Sequence, residues 1–232
     1  MIKQALGRPV ILKNLGLTSY TSAMAIMNSI AQQKQQFQCR KTSSEPLDHV
    51  LICQHKPVYT VGIRRKDYMD ESVIENLKSL HSEFHYTDRG GLITFHGPGQ
   101  LVCYPVLNLK QYKLSIRCYI NMLEDVLIRT CQHYDINAHR TENVGIWVGE
   151  NKIAAIGVHC RRYITSHGLA LNCDTDLRWF DHIVPCGIPD KGVTSITKEL
   201  SKVVGVDETI PVLKKNFEKV FSCNVIDEEP TN

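Results

Sequence analysis

One cysteine in this chain stands in a setting that suits a nucleophile. Cys186 lies between Pro185, which fixes the incoming backbone, and Gly187, whose amide can approach a reacting oxygen closely. A thiol attacks as its thiolate, so it needs a cation or a base beside it. The segment therefore predicts acyl transfer through a thioester, with the Gly187 amide as a candidate donor to the oxyanion.

Six side chains elsewhere in the sequence could supply that cation or base. They are His96, Lys152, His159, His167, His182 and Lys191. Lys152 opens the apolar run 153–157, where a lysine can be withdrawn from water. However, it also follows Asn151 in a hairpin, where lysines are ordinarily solvated. From the residues alone, a solvated Lys152 is the simpler expectation.

A second feature is the glycine-rich, weakly charged segment 89–100. It holds Arg89, Gly90, Gly91, His96, Gly97, Pro98 and Gly99. This spacing matches neither a phosphate-binding loop nor a dinucleotide-binding loop, so a nucleotide is not indicated. Leu92, Ile93 and Phe95 alternate with small residues and could line an apolar slot. A hairpin with a bulge and no ligand is the alternative.

Composition excludes several other classes of protein. The 232 residues carry a net charge of +3 with no dense basic run, which does not favour nucleic-acid binding. No apolar run is long enough for a membrane helix. The nine cysteines are odd in number and form no CxxC pair, which predicts free thiols in a reducing compartment. Their spacing with histidines fits no zinc site, so we expect neither a metal nor a cofactor.

The N-terminal region has the composition of an organelle-targeting segment. Residues 1–44 contain no acidic side chain but several basic ones. A basic, solvated face is the alternative interpretation. The run 9–12 already has the pattern of a strand, which argues against a long cleavable segment.

The order of apolar patterns predicts one domain over 1–232. Strands are expected at 9–14, 50–53, 92–95, 101–107, 144–148, 152–158 and 162–172. Helices are expected after Thr18 and Ser115, around 73–80, and at 195–203 and 211–221. Hairpins mixed with helices indicate an α/β (α+β) fold, with helices packed on a mixed or antiparallel sheet.

Several segments taken together resemble the lipoyl(octanoyl) transferases. The segment 89–100 followed by Tyr104-Pro105-Val106 resembles the signature of that family, and 55–62 resembles an upstream motif. Three more segments match in order and spacing, namely 145–157, 166–172 and 185–195. The resemblance covers about 8–222. Residues 1–8 are then a possible targeting remnant, and 223–232 a tail.

The resemblance implies a fold like the catalytic domain of biotin and lipoate protein ligases. It implies a monomer that moves an octanoyl group from octanoyl-acyl carrier protein to a lysine of a lipoyl domain, such as the glycine-cleavage H protein. Cys186 would be the nucleophile, and Lys152 would favour its thiolate and pass protons. The acyl site would comprise Arg89, Gly90, Gly91, Leu92, Ile93, Thr94, Phe95, His96, Ala155, Ile156, Gly157, Gly168, Leu169 and Ala170.

Three alternatives stay open from the sequence. An ATP-dependent lipoate or biotin ligase would need no cysteine nucleophile. An amidotransferase would move a lipoyl group from one carrier protein to another, also through a cysteine. A non-catalytic module would bind acylated carriers without forming an acyl-enzyme. The family's role places the protein in the mitochondrial matrix, or in the cytoplasm if it is bacterial, and segment 160–173 is closer to the eukaryotic branch.

Overall fold

The computed structural model describes residues 7–40, 45–64, 71–183 and 191–228. Within these ranges, ten strands form two sheets. The strands are β1 (Arg8–Thr18), β2 (Asp48–His55), β3 (Val58–Val61), β4 (Glu83–Tyr86), β5 (Ile93–His96), β6 (Gln100–Val106), β7 (Ile146–Val148), β8 (Asn151–Arg161), β9 (Ile164–Asn172) and β10 (Cys223–Asp227). The helices are α1 (Tyr20–Arg40), α2 (Glu71–Ser79), α3 (Leu109–Tyr112), α4 (Ile116–Gln132), α5 (Ile196–Leu200), α6 (Val206–Phe221) and a 3-10 helix (Leu177–His182). No helix among the described residues is long and apolar enough to cross a bilayer.

The larger sheet has seven strands in the order β10-β1-β2-β6-β9-β8-β7. β1 is parallel to both of its neighbours. The other four pairs of the larger sheet, β2–β6, β6–β9, β9–β8 and β8–β7, are antiparallel. This arrangement confirms the predicted mixed sheet. The hairpin of β7 and β8 and the strand β9 bring Lys152 and the segment 168–170 onto neighbouring strands.

Alternating side chains of the central strands serve two cores, one on each face of the sheet. On β6, Leu101 and Cys103 pack with helices α4 and α6, whereas Val102 and Tyr104 face α1. This is the two-residue period of a strand buried on both sides. Such a sheet fixes the height and direction of every side chain that it carries.

A buried ion pair ties α1 to the start of β2. The Lys34 ammonium donates to an Asp48 carboxylate oxygen at 2.7 Å and to the Pro46 carbonyl at 2.7 Å, and both charged side chains are fully buried. Asp48 also accepts hydrogen bonds from Arg8 and from the Tyr112 hydroxyl. The buried charge is therefore compensated from three elements.

Replacement of Lys34 by methionine is expected to lower the free energy of unfolding by about 3 kcal/mol, because Asp48 would stay buried without its closest cation. Urea unfolding of the wild type, Lys34→Met, Asp48→Asn and the double variant measures the effect. The double variant should lose less than the sum of the two single variants. A loss below about 1 kcal/mol in Lys34→Met would contradict this prediction.

The smaller sheet, β4-β3-β5, lies beside the larger one and has its own core. Tyr59, Ile93 and Phe95 pack there with Leu77 of α2 and with Phe180 of the 3-10 helix. The Phe95 ring stacks on the Trp179 indole with centroids 4.9 Å apart. This core holds β5, and with it the end of the glycine-rich segment, against the larger sheet.

The local predictions are largely confirmed. Ser115 accepts a hydrogen bond from the Cys118 amide and caps α4, and the β7–β8 hairpin turns at 149–150 as expected. The first helix begins one residue later than predicted, since Ser19 rather than Thr18 accepts from the Ser22 amide. α1 then runs to Arg40.

Two other boundaries differ from the predictions. The residues at 162 and 163 adopt positive φ and form the turn between β8 and β9, so the strand predicted from 162 starts at 164. Residues 223–227, interpreted as part of a tail, form β10 and pair with β1 over the register Arg8–Leu12. β1 begins at Arg8, at the end of the range interpreted as a targeting remnant.

Candidate active site

The glycine-rich segment is folded around the side chain of Arg89. Its guanidinium donates to the carbonyls of Thr60 at 2.7 Å, Gly90 at 3.0 Å and Leu92 at 3.0 Å. Gly91 follows with φ of +97°, a backbone conformation that favours glycine. Arg89 is 7% exposed, so these bonds satisfy a charge that has left water. The arginine therefore shapes the loop from inside.

A narrow slot lies between this segment and strands β6, β8 and β9. Eleven of the predicted acyl-site residues line it: Arg89, Gly91, Leu92, Thr94, His96, Ala155, Ile156, Gly157, Gly168, Leu169 and Ala170. Gly157 and Gly168 stand opposite each other on β8 and β9. A Cβ at Gly168 would lie 2.2 Å from the Cys103 carbonyl oxygen, so the sheet admits only glycine there.

Three predicted residues do not line the slot. Ile93 and Phe95 point to the core of the smaller sheet, because neighbouring residues of a strand face opposite sides and Thr94 and His96 take the slot side. Gly90 lies on the outer side of the loop. Four lining residues were missed, namely Tyr20, Val102, Tyr104 and His167. Tyr104 and His167 lie in motifs that had been recognised, whereas Tyr20 gives no sequence signal.

Lys152 is buried, not solvated as the residues alone suggested. It is 6% exposed, and its ammonium donates to the Val144 carbonyl at 3.3 Å. The same nitrogen lies 4.7 Å from the centre of the Trp147 ring, within the range of a cation–π contact. The Lys152 ammonium is therefore enclosed by the Trp147 ring of β7 and the Val144 carbonyl that precedes β7, rather than by solvent.

A smaller cavity lies between Lys152 and the slot. Thr94, Ala155 and Ala170 line both spaces, and Gln100, Ala154, Asn172, Phe180 and Val193 complete the smaller one with Lys152. No histidine lines this cavity among the residues that the structure describes. Of the six candidate cations and bases, Lys152 lines this smaller cavity, whereas His96 and His167 line the slot itself.

Cys186 lies outside the described residues, between Ile183 and Lys191. The chain on its C-terminal side is anchored to Lys152 through the backbone. The Lys152 amide donates to the Gly192 carbonyl at 2.9 Å, and the Thr194 amide donates to the Lys152 carbonyl at 3.0 Å. The segment 184–190 thus leaves and rejoins the described structure next to residues of the smaller cavity, Phe180 and Val193.

A chain of hydrogen bonds fixes the protonation of His96. The Gln100 amide nitrogen donates to Asn172 at 2.9 Å, so its oxygen must accept from His96 Nδ1 at 2.7 Å. Asn172 in turn donates to the Thr194 carbonyl at 2.9 Å. Burial, with the nearby His55 and Arg89, lowers the pKa of His96 to about 3. The imidazole is therefore neutral, with its proton on Nδ1 and an accepting Nε2.

Stability is expected to decrease as the pH falls below about 6.5, the unperturbed pKa of histidine. Burial lowers the pKa of His55 to about 4 and that of His96 to about 3. At pH values between these lowered pKa values and 6.5, the unfolded chain binds protons that the folded chain does not bind. A lower pH therefore favours unfolding. Each group contributes up to about 1.4 kcal/mol per pH unit.

Urea unfolding of the wild type and His96→Gln between pH 7 and 5 checks this expectation. The variant should show a slope that is shallower by up to about 1.4 kcal/mol per pH unit. Equal slopes in the two proteins would mean that His96 does not carry the effect.

Asp88 joins two histidines at the outer edge of the slot. Its carboxylate lies 2.8 Å from His167 Nε2 and 3.2 Å from His159 Nδ1. The hydrogen bond from His167 lowers the pKa of Asp88 to about 2 despite partial burial. His159 on β8 and His167 on β9 are thereby held beside Asp88, several residues along the two strands from the position of Lys152.

Comparison with known proteins identifies the family. The lipoyl protein ligase A/B catalytic domain matches residues 19–218. The chain belongs to this family. It is 51% identical over 212 residues to the mitochondrial octanoyl-acyl-carrier-protein:protein N-octanoyltransferase of Danio rerio, covering 91% of this chain and 92% of that protein. The Homo sapiens protein of the same name is 46% identical over 187 residues, covering 79% and 80%.

The fold of the lipoyl protein ligase A/B family is also seen in a solved relative. A bi-partite lipoate protein ligase from Thermoplasma acidophilum superimposes with a TM-score of 0.70 at 15% identity, covering 97% of this chain and 88% of that one. At this identity the likeness concerns the fold alone. The comparisons confirm the predicted fold class and the resemblance to the octanoyl transferases, including the mitochondrial branch.

Proposed function

We propose that this protein is a mitochondrial octanoyltransferase that moves an octanoyl group from octanoyl-acyl carrier protein to a protein lysine through a thioester on Cys186. The relatives at about half identity carry this activity and this compartment in their names. The observation that carries the mechanism is the placement of Lys152, a buried cation at the entrance of an apolar slot.

In the first step the Cys186 thiolate attacks the donor's thioester carbon. A new C–S bond forms, the donor's C–S bond breaks, and the released carrier thiolate takes a proton from the Lys152 ammonium, which leaves Lys152 as a neutral amine. One thioester replaces another, so the step needs no ATP. Lys152 supports the step because an ammonium held in a water-poor site stabilises the thiolate and the oxyanion that follows it.

In the second step the acceptor lysine attacks the acyl-enzyme as a neutral amine. The amide C–N bond forms, the C–S bond to Cys186 breaks, and the amine proton passes to a base. Lys152 is the proposed carrier of this proton. His96 is not suited to the task, because the burial that keeps it neutral also makes it a weak base.

Chain geometry supports a meeting of Cys186 and Lys152. Cys186 follows Ile183 by three residues, and an extended chain spans at most about 11 Å over that number. Lys191, five residues beyond Cys186, lies one residue before the backbone bonds to Lys152. Ile183 and Lys191 each lie within three residues of a residue that lines the smaller cavity, Phe180 or Val193. The chain therefore keeps Cys186 in the neighbourhood of Lys152.

The slot supports the choice of an acyl group over a nucleotide. Aliphatic and glycine residues of β8 and β9 form its floor. Burying the methylenes of an octanoyl chain contributes about 0.8 kcal/mol for each. We further propose that the protein acts as a monomeric single catalytic domain in the matrix, and that its acceptor is a lipoyl domain such as the glycine-cleavage H protein.

Intact-protein mass spectrometry tests the proposed function. Wild-type protein is incubated with octanoyl-acyl carrier protein and no ATP, and the unmodified H protein is added afterwards. We expect one octanoyl adduct on the enzyme, removable by hydroxylamine, that moves to the H protein. Transfer that appears only with free octanoate and ATP would instead identify a ligase. Adduct-free binding of the carrier would identify a non-catalytic module.

A further inference from the structure

The loop Arg89-Gly90-Gly91 has a cavity on each side. Arg89 and Gly91 line the slot, whereas Gly90, between them, lines an open groove of about 530 Å³. The groove is lined largely by apolar residues, among them Ile63, Leu109, Leu114, Ile116 and Val158. The partition between the two spaces is therefore a single turn of backbone, which we name the wall.

The wall is held tightly in place. The Gly90 amide donates to the Val158 carbonyl of β8 at 3.0 Å, and the Arg89 guanidinium donates to carbonyls on either side of it. It also rests directly on Gly157. A Cβ at that position would lie 2.9 Å from the Gly90 oxygen and 3.1 Å from Arg89 Cδ. The contact between the wall and β8 therefore leaves no room for an additional carbon atom at Gly157.

The wall stands at the end of the slot that is remote from Lys152. Lys152 and Gly157 are five residues apart on β8, which corresponds to about 17 Å. Ala155 lies between them and lines both the slot and the smaller cavity. An extended octanoyl chain is about 9 Å long, given carbon–carbon bonds of about 1.5 Å. An acyl group whose thioester lies near Ala155, where the slot meets the smaller cavity, therefore directs its terminal methyl group at the wall.

We infer that the wall, with Arg89 as its core, sets the upper limit on acyl chain length, and that the groove behind it would receive the end of a longer chain. The inference rests on the proposed octanoyl transfer and adds the determinant of its specificity. The aliphatic stem of Arg89 faces the chain, while its guanidinium binds the loop carbonyls that hold the barrier closed.

The test compares octanoyl-, decanoyl- and dodecanoyl-acyl carrier protein as donors for wild type and Arg89→Met. Methionine is shorter and cannot donate, so the barrier should open. We expect the ratio of kcat/KM for dodecanoyl to octanoyl to rise at least tenfold, since a few methylenes gain an apolar site. A ratio unchanged from wild type, in a folded variant that still transfers octanoyl, would overturn the inference.

Two further variants separate the wall from a general loosening of the slot. Val102→Ala enlarges the side of the slot without touching the wall, and it should weaken octanoyl transfer without raising the dodecanoyl ratio. Ile116 is 41% exposed at the groove, so Ile116→Trp is tolerable there and fills it. In the double variant Arg89→Met/Ile116→Trp the gain for dodecanoyl should disappear. If the gain for dodecanoyl persisted in the double variant, the longer chain would have to bind outside the groove, which would overturn the role inferred for it.

A measurement on the wild type keeps the inference testable if Arg89→Met fails to fold. An octanoyl-length donor with a diazirine at its last carbon is loaded and photolysed, and the crosslinked peptides are sequenced. Crosslinks at 89–91 or 157–158 are expected. Crosslinks at Phe180 or Val193 would overturn the inference. Failure of the wild type to take up octanoyl would instead count against the proposed function.

Discussion

Cys186→Ala is expected to lose the acyl-enzyme and octanoyl transfer together, with kcat/KM falling by about 10³-fold or more. Without the thiolate, the acceptor amine would have to attack the carrier thioester directly. That reaction would still have the slot and Lys152 for positioning, but it would lack the covalent intermediate that divides the transfer into two steps. The fold should be unaffected, so binding of the carrier should remain measurable.

Cys118→Ala is the matched control for this variant. Cys118 is an exposed thiol on α4, outside both the slot and the smaller cavity. It should keep wild-type acylation, transfer and adduct mass. The measurements are the intact mass after loading and the initial rate of octanoyl transfer to the H protein. Full transfer by Cys186→Ala would remove the thioester from the mechanism and return the ATP-dependent ligase to consideration.

Lys152→Met is expected to slow acyl-enzyme formation by about 10²-fold to 10³-fold. Methionine keeps an unbranched stem against the Trp147 ring but carries no charge and no proton. A thiol without a cation beside it ionises mainly above about pH 8, so part of the lost rate should return as the pH is raised. Stopped-flow or quenched-flow acylation from pH 6.5 to 9.5 measures both effects.

Lys191→Met controls for the general loss of positive charge in this region. The Lys191 ammonium also lies over Trp147, at 5.3 Å, but it is paired with Glu150 at 2.5 Å, and Lys191 is not among the described residues that line the slot or the smaller cavity. We expect its acylation rate to stay within about threefold of wild type. Equal losses in the two variants would assign the effect to the electrostatic field near Trp147 rather than to Lys152 itself.

The sequence predicted best what short-range patterns determine. Alternating residues and a glycine turn specified the β7–β8 hairpin, and Ser115 marked the start of α4 by its capping side chain. The glycine segment was recognised as a site because ordinary turns do not need so many glycines. The short strands β3 and β4 went unpredicted, since each covers only four residues and depends on pairing within the smaller sheet.

The remaining differences come from contacts between distant residues. Lys152 follows Asn151 in a hairpin, and nothing in its neighbours shows that Trp147 and the Val144 carbonyl enclose it. The resemblance to a family, rather than the residues, pointed to this lysine. Likewise, the choice of Thr94 over Phe95 for the slot depends on where the second sheet lies. The alternation of residues in the sequence defines the two faces of a strand, but it does not tell which face contacts the ligand.

The pairing of β10 with β1 links the two ends of the described chain at one edge of the larger sheet. Edge strands expose unsatisfied backbone groups that can recruit other chains. During synthesis from the N-terminus, the outer edge of β1 stays unpaired until residues 223–227, the last of the described strands, have been made. Truncation of the chain before Cys223 would therefore do more than remove a short strand, because it would leave the edge of β1 as a template for misassembly beside a core that is otherwise complete.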